Sequence, residues 1–273
     1  MTAALIAVVL VLAAGDELPA PAGPGGDPAV AAAPPRDDTA ATVSGRAAGS
    51  APREPGRVSA ARAAKSEALR RRFREAGVAY PPDVLLLRAF KREAELEVWA
   101  GPARAALTRV GRYPICASSG ALGPKRRQGD LQVPEGVYEV ASFNPWSDYH
   151  LALGVTYPNA SDARRGVPGA LGGNIAIHGN CVTIGCIPIE DDPIEEVYLM
   201  ALDTARGGRV RVPIHIFPAR LDDDGLDDLT RGAAPELVSF WRELAPIYRA
   251  FEASHRVPVV SIDPKTGAYG VVP

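Results

Sequence analysis

The sequence predicts an α+β domain in which strands dominate. Three observations carry this. A series of short apolar or alternating runs recurs between residues 84 and 216, at strand length and bounded by turn residues. Three segments instead show helical spacing or composition: 57–77, 191–205 and 235–252. Between the two patterns lies one stretch, Asn174 to Ile189 (NIAIHGNCVTIGCIPI), in which two apolar runs hold a His and a Cys at their ends, with a glycine beside each.

Composition narrows the class. Of 273 residues, 47% are hydrophobic and the net charge is −2, which excludes a membrane bundle and a wholly disordered chain and gives no case for a nucleic-acid partner. With 3 cysteines the chain has too few for a disulfide framework. Ala3 to Ala14 is an apolar run of signal-peptide length, followed by small residues at Ala13-Ala14-Gly15 but preceded by no basic residue. Residues 1–15 are therefore expected to be a signal peptide or short anchor, placing the protein outside the cytoplasm, in the periplasm or cell envelope. Asp16 to Gly56 is rich in Ala, Pro, Gly and Ser and is expected to be a disordered tether. Residues 57–79 are expected to form a basic helix with a solvated face, stopped by Gly77, and 80–273 to form the catalytic domain.

The elements follow in order. Val84 to Phe90 and Glu95 to Ala100 flank Lys91-Arg92-Glu93 and predict a hairpin, the second strand half-buried because Leu96 and Val98 alternate with Glu95, Glu97 and Trp99. Leu107 to Cys116 predicts a third strand. Ser118 to Asp130 is a glycine-punctuated loop with Lys125, Arg126 and Arg127, and it lacks the spacing of a phosphate loop. Its cations either attract a peptide carboxylate or are solvated charge. Val137 to Phe143 and Tyr149 to Tyr157 predict further strands. His150 and Tyr157 are candidates to line a cleft, against a structural reading of His150. Asp162 to Gly173 is expected to be a surface loop.

After Ile189 the period changes. Asp191-Asp192-Pro193 begins a helix with acidic residues at its positive end, and Gly207-Gly208 ends it. Val210 to Ile216 predicts a strand with His215 on its polar face. Asp222 to Asp228 reads as an acidic turn without the spacing of a calcium loop. Pro235 to Glu252, with Pro246 inside, predicts a kinked helix or two short ones, and the remainder a short β tail.

The central stretch has the parts of a thiol catalyst. A Cys nucleophile needs a base close by and N–H groups facing the oxyanion. Cys186 and His178 supply the first two; the N–H groups of Gly185 and Cys186 are candidates for the third. A protonated His beside the thiol would stabilise the thiolate. Three other fates are open to Cys186: a buried structural residue, a disulfide with Cys181 or Cys116, or zinc held with His178, Cys181 and Cys116. Cys181 by itself reads first as a packed small residue. Thr183 is placed to hydrogen-bond within the loop.

The spacing His178-Gly179-x-Cys181-x-Thr183-x-Gly185-Cys186 resembles the signature of L,D-transpeptidase catalytic (YkuD-like) domains, and most of all their YafK-like branch. The upstream series ending in Gly129-Asp130-Leu131-Gln132-Val133-Pro134-Glu135-Gly136 resembles the same domain, and together they span about residues 80 to 265. The resemblance implies a mainly β sandwich with packed helices and an active-site cleft, with Cys186 as nucleophile and His178 as base. Ile184 stands where many members have a second His, so no role for that residue carries over. It implies acylation at the L centre of diaminopimelate in a peptidoglycan stem tetrapeptide, release of D-Ala, and transfer to an amine, without metal or nucleotide cofactor. Carbapenem acylation of the Cys is implied as well. The alternative within the branch is a hydrolase that cuts a peptide or wall-linked lipoprotein from diaminopimelate. A third reading is an exported wall-binding module acting through the basic helix. Gly179, Thr183, Lys125, Arg126, His150 and Tyr157 are the expected substrate-side residues.

Overall fold

The structure, a computed structural model, describes residues 54–205 and 210–272. The expected signal segment, most of the expected tether and the Gly207-Gly208 stop lie outside the described residues. Elements run α1 (Gly56–Glu75), β1 (Val84–Phe90), β2 (Glu95–Gly101), β3 (Thr108–Pro114), β4 (Gly136–Asn144), β5 (Ala152–Val155), α2 (Ala160–Arg165), β6 (Ala176–His178), β7 (Ile187–Pro188), α3 (Asp191–Ala205), β8 (Pro213–Phe217), α4 (Asp223–Thr230), α5 (Pro235–Ser254), β9 (Val260–Ile262) and β10 (Tyr269–Val271). The fold is α+β and mainly β, as the sequence predicts. Among the described residues no helix is long and apolar enough to cross a membrane.

One eight-stranded sheet, in the order β3-β2-β1-β8-β4-β5-β6-β7, forms the frame. β1 pairs with β8 and β6 with β7 in parallel; the other neighbours are antiparallel. Successive strand side chains point to opposite faces. In β1, Leu85, Leu87 and Ala89 join one core with Leu69 and Phe73 of α1 and Val197 and Tyr198 of α3. Leu86 and Phe90 point the other way, into clusters with Phe251 and Tyr248 of α5. The sheet is therefore covered on both faces, which corrects two expectations.

β2 is not half-buried: Glu97 and Trp99 lie under α5 and are buried. Burial alone would raise the Glu97 pKa. The Trp99 indole N–H, at 2.8 Å, and the Arg88 and Arg220 guanidiniums outweigh it and hold Glu97 below the usual carboxylate range. His215 is also buried, and neither ring nitrogen has a hydrogen-bond partner among the described residues. Burial, with the Arg88 charge, pushes its pKa down to about 3.

The basic helix is likewise built into the fold, not solvated along its length. Val58, Ala61, Leu69 and Phe73 are buried. Arg62 meets Asp203 of α3 at 2.9 Å, Arg72 meets Glu196 at 2.6 Å, and Lys65 pairs with Asp192. Asp162 does not sit in a surface loop. It is buried in α2, where Asn159 and Asp162 form a reciprocal capping box. The acidic run at 222–228 is the start of a helix capped by Asp222. Pro246 lies inside one continuous α5.

Candidate active site

The site is built at the β6–β7 edge of the sheet. The parallel register pairs Ile177 with Ile187 and His178 with Pro188. Cys186 precedes Ile187, so His178 and Cys186 share one sheet face by the strand alternation. Between them, residues 179–185 form a tight loop. Gly185 has φ +137°, a conformation that side chains rarely adopt, and a Cβ there would lie 3.0 Å from the Gln132 carbonyl oxygen. Gly179 is buried; a Cβ there would meet Asp191 Oδ1 at 2.5 Å and the Tyr149 carbonyl at 2.9 Å. The space beside Gly179 is thus filled by the protein itself.

His178 is buried, and its Nδ1 lies 2.5 Å from the Gly179 carbonyl. A carbonyl only accepts, so Nδ1 carries the proton and Nε2 keeps its lone pair. Burial lowers the His178 pKa, partly countered by the Gly179 carbonyl. Burial also raises the Cys186 pKa, opposed by a backbone hydrogen bond at Ala176 and by the Lys125 charge. Both shifts favour neutral forms. They run against the thiolate–imidazolium pair that the sequence alone suggests. The Cys186 Sγ–H points at the Asn174 carbonyl, 3.6 Å away.

Thr183 organises the nucleophile loop. Its Oγ1 accepts from the N–H of Gly185 at 3.1 Å and of Cys186 at 2.8 Å, and donates to the Cys186 carbonyl at 2.8 Å. The two N–H groups expected to face an oxyanion are therefore bonded to Thr183 in the resting protein.

Cys116 and Cys181 form a disulfide with Cα atoms 5.5 Å apart. This corrects the reading of Cys181 as a packed small residue and leaves Cys186 as the free thiol. It also dismantles the zinc set, because two of the four proposed ligands are joined to each other. Among the described residues, the groups close enough to share an ion are Cys116, Cys181 and Glu190, which include the same two sulfurs.

A cavity of about 210 Å³ opens beside Cys186, lined by Ile187, Ala89, Lys91, Val133 and the 117–122 loop. The G-D-x-x-x-P-E-G segment supports this loop. Asp130 accepts from Lys125 Nζ at 2.6 Å and from the N–H groups of Arg126 and Arg127 at 2.8 and 2.9 Å. Glu135 is fully buried and accepts from Lys91 Nζ, the Gly123 N–H and Trp241 Nε1 at 2.8, 2.6 and 2.8 Å. Gly136 has φ +148°, and a Cβ there would lie 2.3 Å from the Tyr269 hydroxyl. Asp130, Glu135 and Gly136 of the motif thus each have a structural duty.

No family model matches the chain. A protein of Escherichia coli strain K12 that carries the provisional name L,D-transpeptidase YafK is 33% identical over 178 residues, covering 64% of this chain and 70% of that one. The chain belongs to the L,D-transpeptidase family, on its YafK-like branch.

Solved structures with related shape include the helical cell shape determining protein Pgp2 of Campylobacter jejuni, 18% identical, covering 66% of this chain and 73% of that chain with a TM-score of 0.41. Bd1075 of Bdellovibrio bacteriovorus is 24% identical, covering 61% and 62%, with a TM-score of 0.36. The family assignment rests on the E. coli match and not on these superpositions.

Within this family member the expected substrate-side residues fall in different places. Lys125 is buried, its ammonium held by Asp130 and the Arg127 carbonyl; its charge reaches Cys186 only as a field. Arg126 reaches toward Asp162 at 3.4 Å and lies over the Phe240 ring. Tyr157 is buried with its hydroxyl on the Leu171 carbonyl. His150 stands in the turn before β5, not on a strand, and its Nε2 faces Glu195 at 2.9 Å. Ile184 is 79% exposed. Sequence reading missed Lys91, read as a hairpin-turn charge, which closes the cavity loop through the carbonyls of Ala121, Gly123 and Val133. It also missed Tyr149, which stacks on His178.

Proposed function

We propose that this protein is a peptidoglycan L,D-transpeptidase of the cell envelope, with Cys186 as nucleophile and His178 as its base. The observation that carries the reading is the His178 tautomer. The Gly179 carbonyl holds the proton on Nδ1, and Nε2 remains basic on the sheet face that bears the one free thiol. A neutral imidazole takes the thiol proton as sulfur attacks the carbonyl at the L centre of diaminopimelate. The imidazolium then returns that proton to the departing amine of D-Ala, leaving a thioester. An acceptor amine attacks the thioester, gives its proton to His178, and expels the thiolate, which takes that proton back from the imidazolium. The cavity beside Cys186 is the candidate seat for the donor stem peptide, and no metal or nucleotide enters the reaction.

The experiment incubates the full chain and Cys186→Ala with purified disaccharide-tetrapeptide, with and without an amine acceptor, and reads products by mass spectrometry. D-Ala release with a cross-linked product in the wild type alone is the expected result. Release to water alone, or cleavage of a lipoprotein-derived peptide linked to diaminopimelate, would make the protein a hydrolase on the same thiol. Sacculus binding without turnover in either form would leave a wall-binding module. The ion pairs of Arg62, Lys65 and Arg72 with α3 weigh against that module, because they engage much of the basic helix internally.

A further inference from the structure

The turn between β4 and β5 lays an aromatic ring on the candidate base. Tyr149 stacks on the His178 imidazole, with centroids 4.7 Å apart and ring planes at 29°. Tyr149 is 43% exposed, so it is not a core side chain that meets the imidazole incidentally. The turn that carries it is braced from several sides. Arg57, in the first turn of α1, donates from Nη1 to the carbonyls of Ser147 at 2.6 Å and His150 at 2.7 Å. The Ser147 hydroxyl accepts from the Tyr149 N–H at 3.0 Å. His150 has φ +68° and contacts Glu195 of α3. Left-handed backbone at such a residue costs on the order of 1 kcal/mol, so the turn keeps its form through these braces.

The geometry explains what the ring does. The Nδ1–H bond to Gly179 restrains rotation of the imidazole about Cβ–Cγ from one edge of the ring. A flat neighbour at stacking distance restrains the same rotation from the ring face and so helps fix the direction of the Nε2 lone pair. It also shields one ring face from water.

We propose that Tyr149 is a positioning residue for His178, and that Arg57 of α1 locks the turn that presents it. The proposal rests on the reading of His178 as base, and the test separates the two. In the full chain Cys116 and Cys181 are joined, so Cys186 is the one thiol open to iodoacetamide. The rate of its alkylation is followed against pH for wild type, His178→Ala, Tyr149→Ala, Tyr149→Phe and Arg57→Ala, alongside kcat and KM on disaccharide-tetrapeptide.

The wild-type rate falls on an acid limb set by His178, and His178→Ala removes that limb. If His178→Ala leaves the profile intact, the base assignment itself fails. With the limb assigned, Tyr149→Ala shifts it upward toward the ordinary imidazole value of about 6.5 and lowers kcat by about ten- to a hundred-fold, with a small change in KM. Tyr149→Phe restores limb and kcat, because the ring and not the hydroxyl does the work. Arg57→Ala moves the limb in the same direction by less. Should Tyr149→Ala fail to fold, Tyr149→Leu fills the space without a flat face and gives the same shift. The proposal is overturned if Tyr149→Ala or →Leu leaves the limb in place, or if Tyr149→Phe is as damaged as they are. An unshifted Arg57→Ala profile overturns the role of α1.

Discussion

Removing the Cys116–Cys181 disulfide should weaken the fold and the reaction together. Cys116 lies just beyond β3, where the chain turns toward the 117–122 loop that lines the cavity, and Cys181 lies in the loop that ends at Cys186. The bond closes a loop of sequence separation 65, which by the chain-entropy relation is worth about 4 kcal/mol against the unfolded chain. Some of the wall contact survives its loss, since the Cys116 N–H still reaches the Pro188 carbonyl at 3.0 Å. The test is the double variant Cys116→Ala/Cys181→Ala, which leaves no thiol to exchange with Cys186. Urea unfolding should show a loss approaching that figure, and kcat should fall about ten-fold, because the two sides of the cavity are no longer tied together. A loss under about 1 kcal/mol with unchanged kcat would refute the argument that this bond holds the two sides in register.

Three further outcomes follow from the same geometry. Gly185→Ala puts a Cβ 3.0 Å from the Gln132 carbonyl at φ +137°; strain of about 1–3 kcal/mol should displace Cys186 and reduce its iodoacetamide rate and kcat/KM together, and wild-type values for both would contradict it. The pH profile of kcat/KM follows from His178, whose pKa burial lowers: the base is neutral and active above that value, so activity falls only as pH drops below about 6.5, and a limb above 7 would contradict the burial argument. His215→Leu should raise stability by about 1 kcal/mol in urea, because it removes two unpaired buried ring nitrogens. The folded pKa of about 3 lies below the ordinary value of 6.5, so the benefit of neutral His215 is present above 6.5 and lost as pH falls toward 3. His215→Leu should flatten that acid slope, and an unchanged slope would assign it to other groups.

The legibility of this chain depended on whether a residue's environment is local. The strands and the start of α3 follow from short-range pattern: alternation, an acidic first turn, and glycines at positions where backbone or neighbouring groups crowd in. What pattern alone could not give is what covers each face. β2 alternates as a half-buried strand should, yet α5, from a distant part of the chain, lays Phe251 on Trp99, and Glu97 finds its partners in Trp99 and Arg220. Alternation places His215 on a polar face for the same reason, and it too is buried. The disulfide joins residues 116 and 181, and spacing alone left several pairings open. Thr183 was legible as a loop hydrogen bonder, but not its use of both N–H groups expected at the oxyanion. Tyr149 was illegible, because a tyrosine at the head of an expected strand has no local sign of a ring stacked on a base.

The most direct test of the central claim is intact mass spectrometry of the full chain quenched during turnover of disaccharide-tetrapeptide without added acceptor. The account predicts an adduct equal to the donor less D-Ala, mapped by proteolysis to Cys186 and absent from Cys186→Ala. Turnover by Cys186→Ala, or an adduct on any other residue, would contradict it.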